Sequence, residues 1–257
     1  MKKITLLLLL INLCSISWLS AQSKLKNMAV DNALFGQVQI NNLASINSMD
    51  LDYSPVLLDD GIIFTSTRKD GSTSNFGSWF NKKYADLFFA KRNEDGSYQN
   101  PTPLAGNVNS KYHDGIATLN PLQSKMYFSR NTKRPSAFSK KSIPLKIYSA
   151  VRKGENWTNV EEAAIDQSGY STCHPTLSAD GKKMYFASDR EGGFGGLDIY
   201  VTTFENNQWT KPVNLGDQVN TAGNEIFPFI DEMGDLYFSS NGHQAVSYTH
   251  LTLPTKA

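Results

Sequence analysis

An all-β fold assembled from repeated four-stranded sheets is what the sequence predicts, on three observations. Short bursts of aromatic and β-branched residues recur along its 257 residues, the composition of strands on a half-buried sheet. Turn-forming pairs such as Asp60-Gly61, Asp95-Gly96, Asp180-Gly181, Asn206-Asn207 and Met233-Gly234 separate the bursts, and glycine there is expected to supply the positive φ of a tight hairpin. Beyond the first residues no stretch carries an apolar period of 3.6, so helix is expected to be scarce.

The elements follow in chain order. Lys2 and Lys3 precede an apolar run from Ile4 to Leu13, and Trp18-Leu19-Ser20-Ala21-Gln22 offers small residues for cleavage, so residues 1–21 read as an export signal. The run is too short to span a bilayer, and no membrane span is expected in the mature chain. Residues 22–46 form an N-terminal segment in which Phe35 to Leu43 reads as an outer strand. From 47 to 244 one unit is written four times. Ile62 to Ser66, Met126 to Arg130, Met184 to Ser188 and Leu236 to Ser240 form one series, with steps of 64, 58 and 52 residues between their phenylalanines. A second series is Asp86 to Phe89, Lys146 to Ser149 and Asp198 to Val201, and a third is marked by Tyr98, Trp157 and Trp209. The fourth runs from Asn47, Asn109, Gln167 and Asn220 to Pro55, Ala117, Pro175 and Pro228, always 8 residues on.

Four strands per unit, joined by short hairpins at a period above 50 residues, form the blade of a β-propeller. About four blades are expected, the last incomplete, in an arc that does not close. After His243 the pattern stops, and residues 245–257 read as a non-native tail.

Pro175-Thr176-Leu177-Ser178-Ala179-Asp180-Gly181, running on to Ser188-Asp189-Arg190 and then Gly195-Gly196-Leu197-Asp198-Ile199-Tyr200, resembles the WD40-like (PD40) repeat of TolB-like propellers. Asn220-Thr221 with Glu225 and Pro228, followed by Tyr237-Phe238-Ser239-Ser240-Asn241-Gly242, is similar to the propeller region of OmpA-family outer-membrane-associated proteins. The resemblance covers residues 47 to 243. It implies a six-bladed TolB-like propeller of which this chain holds a fragment, periplasmic or outer-membrane-associated, alongside a peptidoglycan-anchoring domain. The second repeat departs most: Asn120-Pro121-Leu122-Gln123 replaces the Asp-Gly turn, and Lys146 stands where the family has Asp.

Composition narrows the function. With 25 basic against 24 acidic residues and 19% charged, the charge balance argues against a nucleic-acid binder, and no nucleic-acid partner is expected. Cys14 and Cys173 form no disulfide framework and sit at no zinc-ligand spacing. No catalytic motif surrounds His113, His174, His243 and His250, so no catalytic residue, metal site or cofactor is expected. Cys173-His174 reads as a buried structural pair, Glu191 to Gly196 as a turn, and Asp189-Arg190 with Asp198 as a charge pair joining strands.

The loops say more. From Phe64 to Phe88 is 24 residues, from Phe128 to Tyr148 is 20 and from Phe186 to Tyr200 is 14, and insertions in repeat proteins gather on the binding face. The first of these loops carries Phe76, Trp79, Phe80 and Tyr84; the second carries Arg130, Lys133, Arg134, Lys140, Lys141 and Lys146. Aromatics and arginines are common interface anchors, which makes this a candidate partner-binding face. On the same face Asp52, Asp114 and Glu225, with Thr172 in the third copy, form an acidic column at the expected channel mouth. Its carboxylates can cap backbone N–H groups between blades or hold a cation.

The expectation is a non-catalytic binding or scaffold module of the cell envelope, its partners envelope proteins or a peptidoglycan-associated assembly. The other class is a propeller hydrolase or lyase acting on glycans or peptides, which would converge acids or a Tyr-Arg cluster on the channel.

Overall fold

In the computed structural model, residues 42–68, 84–131, 144–165 and 169–243 are described. The leader at 1–21, the expected outer strand up to residue 41 and the tail at 245–257 lie outside them. Every element below belongs to Leu43–Ala257, one of two units into which the chain divides. No helix occurs among the described residues.

The first sheet orders β1 (Asp52–Leu58), β2 (Gly61–Ser66), β3 (Asp86–Lys91) and β4 (Thr102–Pro103) side by side in chain order. The second does the same with β5 (Asp114–Leu119), β6 (Lys125–Asn131), β7 (Leu145–Lys153) and β8 (Asn156–Glu162). In the third, β9 (Thr172–Leu177), β10 (Lys183–Ser188) and β11 (Asp198–Glu205) are followed by an outer strand split into β12 (Gln208–Trp209) and β13 (Val213–Asn214), both paired to β11. The fourth sheet holds β14 (Glu225–Ile230) and β15 (Leu236–Ser240). All pairings between strands are antiparallel, and the registers repeat: Phe64 faces Phe88, Phe128 faces Tyr148, Phe186 faces Tyr200.

Sheets pack face to face in sequence. The innermost strands β1, β5, β9 and β14 each touch the next, and among the described strands β1 touches neither β14 nor β15. Three apolar seams result. Ile63, Leu87 and Leu104 meet Ala117, Met126, Phe128 and Trp157 at the first. Tyr127 and Ile147 meet Leu177, Met184 and Phe186 at the second, and Tyr185 and Ile199 meet Ile230 and Leu236 at the third.

Each innermost strand carries the same irregularity. A β-bulge breaks the register at Tyr53/Val56, at Gly115/Ala117, opposite Tyr185/Ala187 and at Ile226/Phe229. At its centre Ser54, Ile116, His174 and Phe227 have φ of 51°, 55°, 56° and 53°, left-handed values that bulky or β-branched side chains rarely adopt. The bulge re-aims a backbone N–H toward the preceding sheet. Ile116 N donates to Thr65 Oγ1 at 2.8 Å and His174 N to Ser129 Oγ at 2.8 Å. In the third seam the hydroxyl position is Ala187, and Phe227 N donates instead to His174 Nδ1 at 3.3 Å.

Turn chemistry follows the sequence with one correction. Gly96, Gly181, Gly234, Asn206 and Asn207 have positive φ, but Gly61 does not. Glycine is needed there because a Cβ would run into the Ala90 carbonyl and the Phe89 ring. In the second repeat Gln123, at φ 51°, makes the turn and reaches across the seam: its Nε2 donates to Asp59 Oδ1 at 2.9 Å and its Oε1 accepts from Asp59 N at 3.1 Å.

Candidate functional site

The end of the stack where the long loops depart is built from a repeated clamp. In the first sheet Asp52 accepts hydrogen bonds from Ser48 N at 2.6 Å and Ser48 Oγ at 2.8 Å, and Arg68 Nη2 donates to Asp52 Oδ1 at 2.7 Å and to the Ile46 carbonyl at 2.6 Å. The guanidinium lies 5.1 Å from the ring centres of both Phe64 and Phe88. The second sheet repeats this: Asp114 accepts from Ser110 N and Oγ, Arg130 Nε donates to Asp114, Arg130 Nη2 donates to the Val108 carbonyl at 2.6 Å, and the guanidinium lies over Phe128 and Tyr148. Arg68 stands four residues after Phe64, and Arg130 only two after Phe128. Both reach the same place because alternate residues of a strand share a face.

The other copies use substitutes. In the third, Thr172 replaces the acid, and its buried hydroxyl has no hydrogen-bond partner among the described residues, while Arg190 still lies over Phe186 and Tyr200. In the fourth, Glu225 accepts from Thr221 N at 2.9 Å, Thr221 Oγ1 at 2.7 Å and Ser240 Oγ at 2.5 Å. His243 Nε2 takes the place of the arginine against the Val219 carbonyl at 2.8 Å.

The asparagines of the 8-residue column latch adjacent sheets. Asn109 Oδ1 accepts from Leu87 N at 2.8 Å and its Nδ2 donates to the Leu87 carbonyl at 2.9 Å; Asn220 does the same to Ile199 at 2.7 and 3.0 Å. Asp198 accepts from Phe194 N at 2.6 Å and Asn214 Nδ2 at 2.9 Å, and Asp189 accepts from Ser171 N at 2.6 Å. The expected Asp189-Arg190 and Asp198 group thus organises the Gly192–Gly196 turn and its neighbours through backbone and amide donors.

Beside the Asp114 clamp a pocket of about 280 Å³ opens on the innermost strands, lined by Tyr53, His113, Ile116, Leu145, His174 and Phe227 among others. His113 Nδ1 accepts from Ala85 N at 3.0 Å, and its ring lies 4.9 Å from that of Tyr84. The His174 ring stacks on Phe227 at 4.3 Å and 6°. Burial pushes the His174 imidazole down to about 4 and the Cys173 thiol up to about 12, with Asp189 adding to the latter. The imidazole is neutral and the thiol protonated at pH 7.

The structure places Asp114 and Glu225 at zero exposure and Asp52 partly buried, each held in a clamp, and Asp114 also borders the pocket. Burial raises the Asp114 carboxyl against the pull of Arg130 and Ser110; at Asp52 the hydrogen bonds from Arg68, Ser66 and Ser48 outweigh burial and lower it. Arg130 points into its own sheet. Tyr84 lies beside the pocket against His113, whereas Phe76, Trp79, Phe80, Lys133, Arg134, Lys140 and Lys141 lie outside the described residues. Among the described residues no group of three His, Cys, Asp or Glu side chains could hold a metal. The pocket-forming residues Tyr53, Ile116 and Phe227 carry no motif; their one sequence signal is a place beside the Pro/Ala column.

No protein-family model matches the sequence, and no curated protein does. Solved structures similar to it include TolB from Acinetobacter baumannii (15% identity, TM-score 0.45, covering 79% of this chain and 40% of that one). A puromycin hydrolase (10%, 0.46, 80% and 38%) and the Trypanosoma rangeli sialidase (13%, 0.44, 75% and 35%) are similar at the same level. The chain spans less than half the length of each.

Proposed function

We propose that this chain is an exported β-propeller module of the periplasm or outer membrane that binds a partner at the loop-bearing end of its axis and performs no chemistry itself. What supports the binding reading is one observation: each carboxylate and imidazole lining the axial pocket is already committed to a bond within the fold. Asp114 holds Arg130 and Ser110, His113 Nδ1 accepts from Ala85 N, and His174 Nδ1 accepts from Phe227 N. A catalytic site needs a base within reach of substrate and an acid or nucleophile beside it; this pocket offers aromatic and aliphatic walls. The lysine-headed leader supports export, and the OmpA-like resemblance of residues 220–242 supports an envelope protein or peptidoglycan-associated assembly as the partner.

Site-specific photocrosslinking tests it. With benzoylphenylalanine at Tyr84 or Asn131, crosslinks to an envelope protein are expected from the periplasmic fraction. Turnover of peptide or glycan substrates that disappears in His113→Ala would overturn the reading in favour of a hydrolase or lyase.

A further inference from the structure

The pocket of about 280 Å³ beside Asp114 collects the bulges of successive innermost strands. Ile116, His174 and Phe227, the left-handed residues at the bulge centres of β5, β9 and β14, all line it, and Tyr53 reaches it from β1. A bulge re-aims a side chain as well as an N–H. Tyr53, Ile116 and Leu145 are half-buried and Phe227 is 39% exposed, so these apolar walls are open to solvent.

One polar group in this lining is left over. His174 is more than nine-tenths buried, and its Nδ1 accepts from Phe227 N. An accepting ring nitrogen carries no proton, and burial keeps the ring neutral at pH 7, so its single proton sits on Nε2. Among the described residues the imidazole makes its hydrogen bond at Nδ1, which leaves Nε2–H a donor without an acceptor. A buried N–H in that state is unfavourable until an acceptor arrives. The carboxylate in the lining, Asp114, is taken up by Arg130 and Ser110, so the pocket offers no counter-charge to a charged ligand.

We infer that this pocket holds an internal apolar residue of the partner chain, its side chain against Ile116, Leu145 and Phe227 and its peptide carbonyl accepting from His174 Nε2. The inference rests on the reading of this end as the partner-binding end. Cavities of roughly 150 Å³ take up benzene, so one aliphatic or aromatic side chain with its peptide group fits here. A chain end would bury an ammonium or a carboxylate without a counter-charge, and a sugar would bury hydroxyls against apolar walls.

The test is an NMR titration of the protein with N-acetyl-leucinamide, read at the His174 Nε2 resonance and the Ile116 and Leu145 methyls. Expected is a saturable shift of all three. N-acetylglycinamide, which lacks the side chain, should bind about tenfold more weakly, and N-acetylleucine, which carries a carboxylate, should be weakened to a similar degree. The double variant His174→Phe, Ala187→Ser removes the Nε2 donor and gives Phe227 N a hydroxyl in the manner of Thr65 and Ser129. Folded, it should bind N-acetyl-leucinamide about fivefold more weakly and lose most of the partner crosslink from benzoylphenylalanine at Tyr84. No saturable shift in wild type, equal binding of either control ligand, or undiminished binding by the folded double variant overturns the inference. A Tyr84 crosslink that the double variant leaves unchanged overturns it while the partner reading stands; no crosslink in wild type overturns that reading and the inference with it.

Discussion

The clamps of the first and second sheets hold the same groups in the same places, an aspartate, a Ser hydroxyl and N–H, a carbonyl and two aromatic rings around one guanidinium, yet water treats them differently. The Asp114 side chain is sealed, whereas Asp52 keeps 12% of its surface. The carboxyl shifts therefore have opposite signs, burial winning at Asp114 and hydrogen bonding at Asp52. Position in the stack is the cause. β5 and β9 are flanked by a sheet on each side, and every residue of β9 is buried, while β1 leaves Pro55 and Leu57 exposed. A repeat copies geometry; burial sets what the geometry is worth.

The largest effect expected from this contrast is at Arg130. Arg130→Ala strands a buried carboxylate and should cost about 3–5 kcal/mol, against about 1–2 kcal/mol for Arg68→Ala, whose aspartate retains solvent. Urea denaturation of the two variants measures it, and equal losses would break the comparison. Next comes the seam that relies on an imidazole. His174 is held near 4 by burial against an unfolded value of about 6.5, so the folded state binds fewer protons between those limits; the stabilisation is complete above pH 6.5 and is lost as pH falls toward 4, ~3 kcal/mol in all. Replacing the pair, His174→Phe with Ala187→Ser, returns a hydroxyl to the position held by Thr65 and Ser129 and should flatten stability between pH 7 and 4.5. A persistent slope there would assign the titration elsewhere.

Asn220→Ala removes both bonds to Ile199 and leaves its N–H unsatisfied in a buried seam, while its carbonyl still accepts from Leu215 N, a loss of about 2 kcal/mol readable in the melting temperature. Asn109→Ala should match it within a few tenths if the latch is independent of position. The smallest effect is one of slope between pH 5 and 3. Asp52 stabilises above its unfolded value and loses that as pH falls, so Asp52→Asn should make acid destabilisation shallower. Asp114, with its carboxyl raised, contributes below its unfolded value and loses that as pH rises, so Asp114→Asn should make it steeper.

Much of the architecture is legible in the residues. The aromatic bursts are strands, the three tyrosine-type strands pair where the columns align, and the 8-residue interval marks the crossing into each new sheet. The clamps are only half legible. Arg68 and Arg130 fall at different offsets from their phenylalanines, and a column-by-column reading separates two groups that the pleat brings to one point. The bulges are not legible at all. Ser54, His174 and Phe227 precede proline, a position biased toward extended backbone, and Ile116 is β-branched; tertiary hydrogen bonding overrides the local preference of each. Lys146, out of pattern by composition, packs as a buried partner of Arg130 in the register of β6 and β7.

The bulge also decides where such a chain can be cut and spliced. From the second sheet on, each innermost strand turns one N–H out of its own sheet and depends on a side chain of the sheet before it, Thr65 for Ile116, Ser129 for His174, His174 for Phe227. A recombination point between whole sheets would separate donor from acceptor. One placed inside a sheet, after β2 or β6, would do so as well unless the incoming segment brought a bulged N–H in register with Thr65 or Ser129. The heritable module is therefore the seam: the second strand of one repeat travelling with the first strand of the next. Gene duplication that respects this phase yields a new sheet already wired to its predecessor.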